Sequence, residues 1–183
     1  MFLPPSFTKL EFTPYAWVKI NCYINIIGDL EVTGLGKIED GLITDVKLLH
    51  QRVKPAFVEC NPEAIADFMR EVGMREISKW KLDWHSHVNM ATSPSGTDWN
   101  NYEVMSELRE GQQFPVMIVN KSQSVYCGCY MGKSSTKPIE IIKPEVMSEL
   151  REGQQFPVMI VNKSQSVYCG CYMGKSSDRK SVV

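Results

Sequence analysis

No stretch of this sequence comes near the roughly 18 to 20 consecutive apolar residues that a membrane-spanning helix needs, so no span is expected. The opening Met1-Phe2-Leu3-Pro4-Pro5-Ser6 lacks a basic segment followed by an unbroken apolar stretch and does not read as a secretory leader. An excess of charge is missing too. Twenty basic against 21 acidic residues leave a net charge of -1, which gives no global pull on nucleic acid or an anionic membrane, so neither is an expected partner. With 43% hydrophobic and 22% charged residues, the composition is that of an ordinary globular chain and excludes collagen-like, mucin-like and disordered classes. Without a leader or a span, the expected setting is reducing and cytoplasmic, where six cysteines read as thiols or metal ligands rather than as a disulfide framework. Histidine is scarce. There are three, and two of them, His85 and His87, flank a single serine.

A repeat changes what the length means. Residues 103–135 recur letter for letter at 145–177, an offset of 42, so 33 of the 183 residues are a copy. Solenoid repeats vary from unit to unit and need about three units to bury a core; one perfect copy near the C-terminus reads instead as a recent duplication or an artefact of assembly. The expected organisation is a domain over 1–135 and a duplicated appendage over 136–183. Both copies carry the same strands and are competent for the same place in a sheet. Continuity favours the first; the second is left to lie on a sheet edge, to exchange between chains as a domain swap, or to stay loosely ordered. Low order is expected beyond about residue 143, with Asp178 to Val183 a frayed tail.

Strand and helix signals alternate. Residues 7–12 read as a short strand, and Pro14 opens a helix to about Ile27, ended by Gly28. Strands at 30–38 and 42–49 are joined by Glu39-Asp40-Gly41, with Asp-Gly as the hairpin signal, and 53–60 adds a third strand. Asn61 as N-cap and Pro62 open a helix whose apolar residues Ile65, Phe68, Met69 and Val72 share one face, stopped at Gly73. A strand over 79–88, a helix from Ser95 to Glu110, strands at 114–120 and 124–131 and a strand signal at Ile139-Glu140-Ile141-Ile142 follow. The fold class expected from this order is α/β, a central mixed sheet flanked by helices.

The chemistry concentrates at Trp84-His85-Ser86-His87. On a strand, residues two apart share a face, so both imidazoles project side by side and can give one divalent metal two nitrogens. The plain alternative is a pair of surface histidines. Seven residues on comes Ser95-Gly96-Thr97-Asp98. Ser-x-x-Asp is nearly a capping box, and a helix starting there fixes Asp98 in its first turn, where its carboxylate can complete a two-histidine, one-aspartate zinc site with water in the fourth position.

H-x-H, seven residues, then S-x-x-D is the signature of the JAMM (MPN-plus) zinc metalloproteases, and the sequence resembles that family from about residue 7 to 131. The family also places a glutamate upstream in a Glu-x-x-Gly segment, which Glu31-Val32-Thr33-Gly34 fits; Glu11 and Glu39 compete with Glu31, because a strand glutamate usually faces solvent. The resemblance implies the MPN fold, which is cytidine-deaminase-like, and one zinc per chain held by His85, His87 and Asp98, lowering the pKa of water to about 7. It implies that Glu31 takes the water proton and passes it to the leaving amine, and that Ser95 hydrogen-bonds to the oxyanion, a role that competes with capping. The substrate it implies is a peptide or isopeptide bond in a protein, such as the tail of a ubiquitin-like or sulfur-carrier protein, cut by a minimal prokaryotic, archaeal or phage-type enzyme.

A silent MPN-type scaffold is the alternative, against which the complete set of five residues argues. Zinc-dependent nucleobase deamination needs H-x-E and P-C-x-x-C, and both are missing. Cys127-Gly128-Cys129 and its copy Cys169-Gly170-Cys171 could give four thiolates to a structural zinc, but aromatic neighbours favour buried free thiols. Trp84 and Trp99 read as core, and His50 as a strand-end surface residue.

Overall fold

Thr13 starts the first helix. Its hydroxyl accepts from the Ala16 N–H at 3.3 Å, and Pro14 at the first helical position loses no hydrogen bond, so the chain turns from β1 (Lys9–Phe12) into α1 (Pro14–Ile26) without a linker. The computed structural model describes residues 7–54, 57–60, 62–144, 155–161 and 167–173. After α1 come β2 (Thr33–Glu39) and β3 (Leu42–Leu48), joined at Asp40 and Gly41. Both joining residues have positive φ, 49° and 81°, the turn that suits the twist of a two-residue hairpin. Next are β4 (Gln51–Lys54), β5 (Phe57–Cys60), α2 (Pro62–Ile77) and β6 (Trp80–Ser86). Then follow α3 (Gly96–Leu108), β7 (Phe114–Val119), β8 (Val125–Gly132), β9 (Ser135–Pro138) and β10 (Glu140–Ile142).

The architecture is α/β. Eight strands form a mixed sheet in the order β10-β1-β3-β2-β6-β7-β8-β9, with parallel pairs at β10/β1, β1/β3 and β6/β7. The two ends of that order are neighbours in sequence, because Ile139 alone separates β9 from β10. The Ile139 N–H donates to the Cys127 carbonyl and the Glu140 N–H to the Thr8 carbonyl. One segment therefore pairs with both edges, and the sheet closes on itself. Inside lies an apolar cluster of Trp17, Ile20 and Ile24 from α1 with Ile43, Leu82, Trp84, Met117 and Val119 from the strands. The other face of β7 and β8 carries a smaller cluster, in which Tyr102 of α3 packs on Phe114, Val116 and Tyr130.

Two expectations need correction. The single strand expected over 53–60 is two short strands, β4 and β5, paired antiparallel; Pro55 has no N–H to continue a ladder. Gly73 does interrupt α2, with φ 76° and ψ 160°, but helix resumes to Ile77. The expected N-cap Asn61 lies outside the described residues. The sheet runs past residue 135, since β9 and β10 belong to it. The expected low order beyond residue 143 falls mostly outside the described residues, as does the tail from Asp178, yet β11 (Gln155–Val161) and β12 (Val167–Met173) form an antiparallel pair. Their register, Phe156 opposite Tyr172, repeats Phe114 opposite Tyr130. The first copy occupies the place between β6 and β9, and the second forms a separate two-stranded sheet.

No helix among the described residues is long and apolar enough to cross a membrane.

Close approach of strands β2, β3 and β6 depends on Gly34. A Cβ there would lie 2.0 Å from the Lys47 carbonyl oxygen and 3.0 Å from the Trp84 indole nitrogen, whereas a Cβ on Gly96 would meet nothing within 4 Å. Gly34→Ala is expected to lose stability at or above the upper end of the roughly 1–3 kcal/mol typical of overpacking, and Gly96→Ala to lose none. Urea denaturation of the two variants checks this, and equal midpoints would contradict it.

Candidate metal centre

The centre is assembled from the end of β6, the loop after it and the first turn of α3. His85 lies inside β6, while His87 is one residue past its end, so the expected pair of imidazoles on one strand is a pair straddling a strand terminus. The interposed Ser86 faces the other way, fully buried. Its Oγ accepts from the Val32 N–H at 3.0 Å, and its own N–H donates to the Val32 carbonyl at 2.8 Å. These two bonds lash the segment that carries Glu31 to the end of β6. This role of Ser86 has no signal in the sequence, because it depends on the pairing with Val32.

Asp98 is placed by local chemistry. The Ser95 Oγ accepts from the Asp98 N–H at 3.2 Å, and the Asp98 carboxylate accepts from the Ser95 N–H at 2.6 Å, so the capping box is complete. Capping occupies a lone pair of the Ser95 hydroxyl and leaves its O–H free to donate, so the expected competition between its two roles does not arise.

Ligand atoms of three residues converge. His85 Nε2 and His87 Nε2 are 3.1 Å apart, His85 Nε2 and Asp98 Oδ1 3.0 Å, and His87 Nε2 and Asp98 Oδ2 3.2 Å. Donors about 2.0–2.1 Å from a tetrahedral centre sit roughly 3.3–3.4 Å from one another, so these spacings are close to those of a zinc coordination shell, with each imidazole facing its own Asp98 oxygen. The tautomer agrees. His87 Nδ1 is 2.7 Å from the Ala91 carbonyl oxygen, which can only accept, so Nδ1 carries the hydrogen, and whenever the ring is neutral Nε2 is a lone pair facing a carboxylate oxygen. Two acceptors at hydrogen-bond distance need a cation between them: a proton, or a metal ion. This donor set fits a divalent metal, and His85, His87 and Asp98 are the residues that could hold one.

The electrostatics follow from crowding three ionisable groups. The hydrogen bond with Asp98 raises the His87 pKa, with burial opposing. Burial alone would lift Asp98, but hydrogen bonds with His85 and His87 more than offset it and hold the carboxyl well below the ordinary range. Glu31 is 8% exposed. Burial raises its pKa against the pull of His87 and His85.

Glu31, Ser95 and the three converging residues line one cavity of about 830 Å³, walled by Leu35, Leu49 and Ile65 and by Val104 and Met105 of α3. The competitors fall away from it: Glu11 is exposed, and Glu39 is paired with Lys79 and Lys37 and held down at about 2 by the hydrogen bond from Lys79. Trp84 is buried behind the centre, stacked on Tyr23, while Trp99 packs edge-on against Tyr102. His50 is exposed just beyond β3. Cys127 is buried in the main cluster, its thiol pushed up by burial to about 12, which suits a protonated core residue. The side chains of Cys169 and Cys171 lie outside the described residues.

No model of a known protein family matches the sequence, and no curated protein matches it. Among solved structures the chain is similar to a JAB1/MPN domain protein from Archaeoglobus fulgidus, with 14% identity over 75% of this chain and 99% of that one, at a TM-score of 0.40. The likeness is loose at that score, and the chemistry of the site stands on the residues themselves.

Two outcomes follow from the geometry. The purified protein is expected to hold about one zinc per chain by elemental analysis and the His85→Ala/His87→Ala variant none while still folded; zinc kept by that variant would place the metal elsewhere. The Tyr102 hydroxyl is buried without a hydrogen-bond partner, so Tyr102→Phe is expected to match or exceed the parent in thermal denaturation, because the unpaired hydroxyl's desolvation costs about 1–3 kcal/mol.

Proposed function

We propose that the protein is a zinc-dependent hydrolase of the JAMM type, cutting a peptide or isopeptide bond in a protein substrate. The observation that carries this reading is the convergence of His85, His87 and Asp98 donor atoms at 3.0–3.2 Å, with the buried carboxyl group of Glu31 lining the same cavity. Two histidines and one carboxylate leave a position for water or substrate, the ligand count of a catalytic rather than a closed structural site. Zinc bound there supplies Lewis acidity that makes hydroxide available near neutral pH.

The chain's own residues do the rest. Ala91 fixes the His87 ring through Nδ1, so that Nε2 stays a ligand. Glu31 accepts a proton from the attacking water and delivers it to the departing amine, a transfer for which a buried carboxyl with a raised pKa is poised. The Ser95 O–H, left free by capping through the oxygen lone pair, donates to the oxyanion as the carbonyl becomes tetrahedral. The apolar walls from Leu35, Leu49 and Ile65 across to Val104 and Met105 exclude competing water and grip the substrate on either side of the scissile bond. A flexible tail fits such a cavity better than a folded surface, so the tail of a ubiquitin-like or sulfur-carrier protein is the substrate we infer first.

Glu31→Gln is the test. With fusions of ubiquitin-like and sulfur-carrier proteins and with extended peptides as substrates, the parent is expected to show turnover and the variant to lose it by at least about 100-fold while keeping its zinc. Cleavage that persists in Glu31→Gln would remove Glu31 from the chemistry, and a zinc-loaded parent inert toward every substrate would favour a silent scaffold.

A further inference from the structure

The loop that follows His87 is strained and externally held. Val88 adopts φ +42°, a region that a β-branched residue avoids because its branched Cβ crowds the neighbouring backbone. The loop also folds back on its own ligand: the Met90 N–H donates to the His87 carbonyl at 2.7 Å, which brings the Ala91 carbonyl to His87 Nδ1 at 2.7 Å. Within residues 87–91 these two hydrogen bonds work against the strain at Val88.

The restraint comes from the turn between β7 and β8. The His87 N–H donates to the Val119 carbonyl at 2.9 Å, and the Lys121 N–H donates to the Val88 carbonyl at 2.7 Å. Between them, Asn120 is buried and all its polar atoms are engaged. Its Oδ1 accepts from the Ser124 N–H at 2.9 Å and from the Ser122 hydroxyl at 2.7 Å, and its Nδ2 donates to the Met90 carbonyl at 2.9 Å. The direction of the amide follows from its partners, since the Ser124 N–H can only donate and the Met90 carbonyl can only accept.

We infer that Asn120 is a positioning residue of the metal centre: by holding the Met90 carbonyl it keeps the strained loop closed, so that Ala91 fixes the His87 ring with Nε2 facing His85 and Asp98. The inference rests on the hydrolase reading above. Asn120 touches no ligand atom and does not itself line the cavity, whose wall includes Met90 and Ala91; it acts through the Met90–Ala91–His87 relay. Partners that orient a metal-binding histidine through its second nitrogen influence affinity by about 10- to 100-fold, and Asn120 stands one step behind such a partner.

Asn120→Asp separates this role from a merely structural one. The variant keeps an acceptor for Ser122 and Ser124 but sets a second acceptor against the Met90 carbonyl. Ser122→Ala serves as the control, because it removes a bond to the same side chain without touching the loop. Zinc affinity measured by competition with a chromogenic chelator is expected to fall about tenfold or more in Asn120→Asp and to stay at the parent value in Ser122→Ala. In zinc-saturated samples, the nitrogen-15 NMR signal of the His87 Nδ1–H is expected to shift or exchange away in Asn120→Asp, with the His85 resonances unmoved. Equal affinity in Asn120→Asp and the parent, or equal losses in the two variants, would overturn the inference. A parent that binds no zinc would instead overturn the hydrolase reading on which it rests.

Discussion

The site turns on one electrostatic conflict. His87 commits its Nδ1 hydrogen to the Ala91 carbonyl and so points a lone pair at the Asp98 carboxylate 3.2 Å away, while His85 crowds the same point at 3.1 Å from His87. Three electron-rich atoms so close together repel unless a positive charge sits among them. The fold spends several features on holding them there: the capping box that pins Asp98, the carbonyl that pins His87, and the Ser86 bonds that bring the Glu31 segment alongside. A surface pair of histidines would need none of these.

The sheet explains why the pieces can be held so tightly. β6 lies between β2 and β7, with Thr33 opposite His85 in one pairing and Ile118 opposite His85 in the other, so the strand that carries the first ligand is supported on both sides. The Gly34 backbone lies close against the Trp84 indole on the opposite face, which lets β2, and with it Glu31, come close. Closure of the sheet through Ile139 wraps that support around the cluster on α1. Rigid elements thus set the ligand atoms, and only the loop after His87 depends on a distant turn.

What was legible in the sequence divides along the same line. Asp98 and Ser95 could be read because capping is local: residues three apart decide it, and the structure has both bonds. The α/β order, α1 and α3 and the Asp40-Gly41 hairpin were legible for the same reason. Glu31 was harder to argue from pattern, since its burial depends on a strand pairing with residues more than 50 positions away, and a lone strand glutamate otherwise faces water. Ser86 and the Ala91 carbonyl carry no signal until the chain is folded. The break of 53–60 into two strands and the use of 135–142 to close the sheet are tertiary outcomes. The two identical copies make the point most directly, since one sequence forms the same hairpin twice and only the first copy lies beside β6.

The proposed hydrolase needs a metal held by His85, His87 and Asp98, the residues that could hold one, rather than by the cysteines. Zinc K-edge X-ray absorption on the purified protein tests it most directly. The account predicts a first shell of nitrogen and oxygen at about 2.0–2.2 Å, with imidazole scattering from two rings; sulfur ligands at about 2.3 Å would contradict it and move the metal to the Cys-x-Cys pairs.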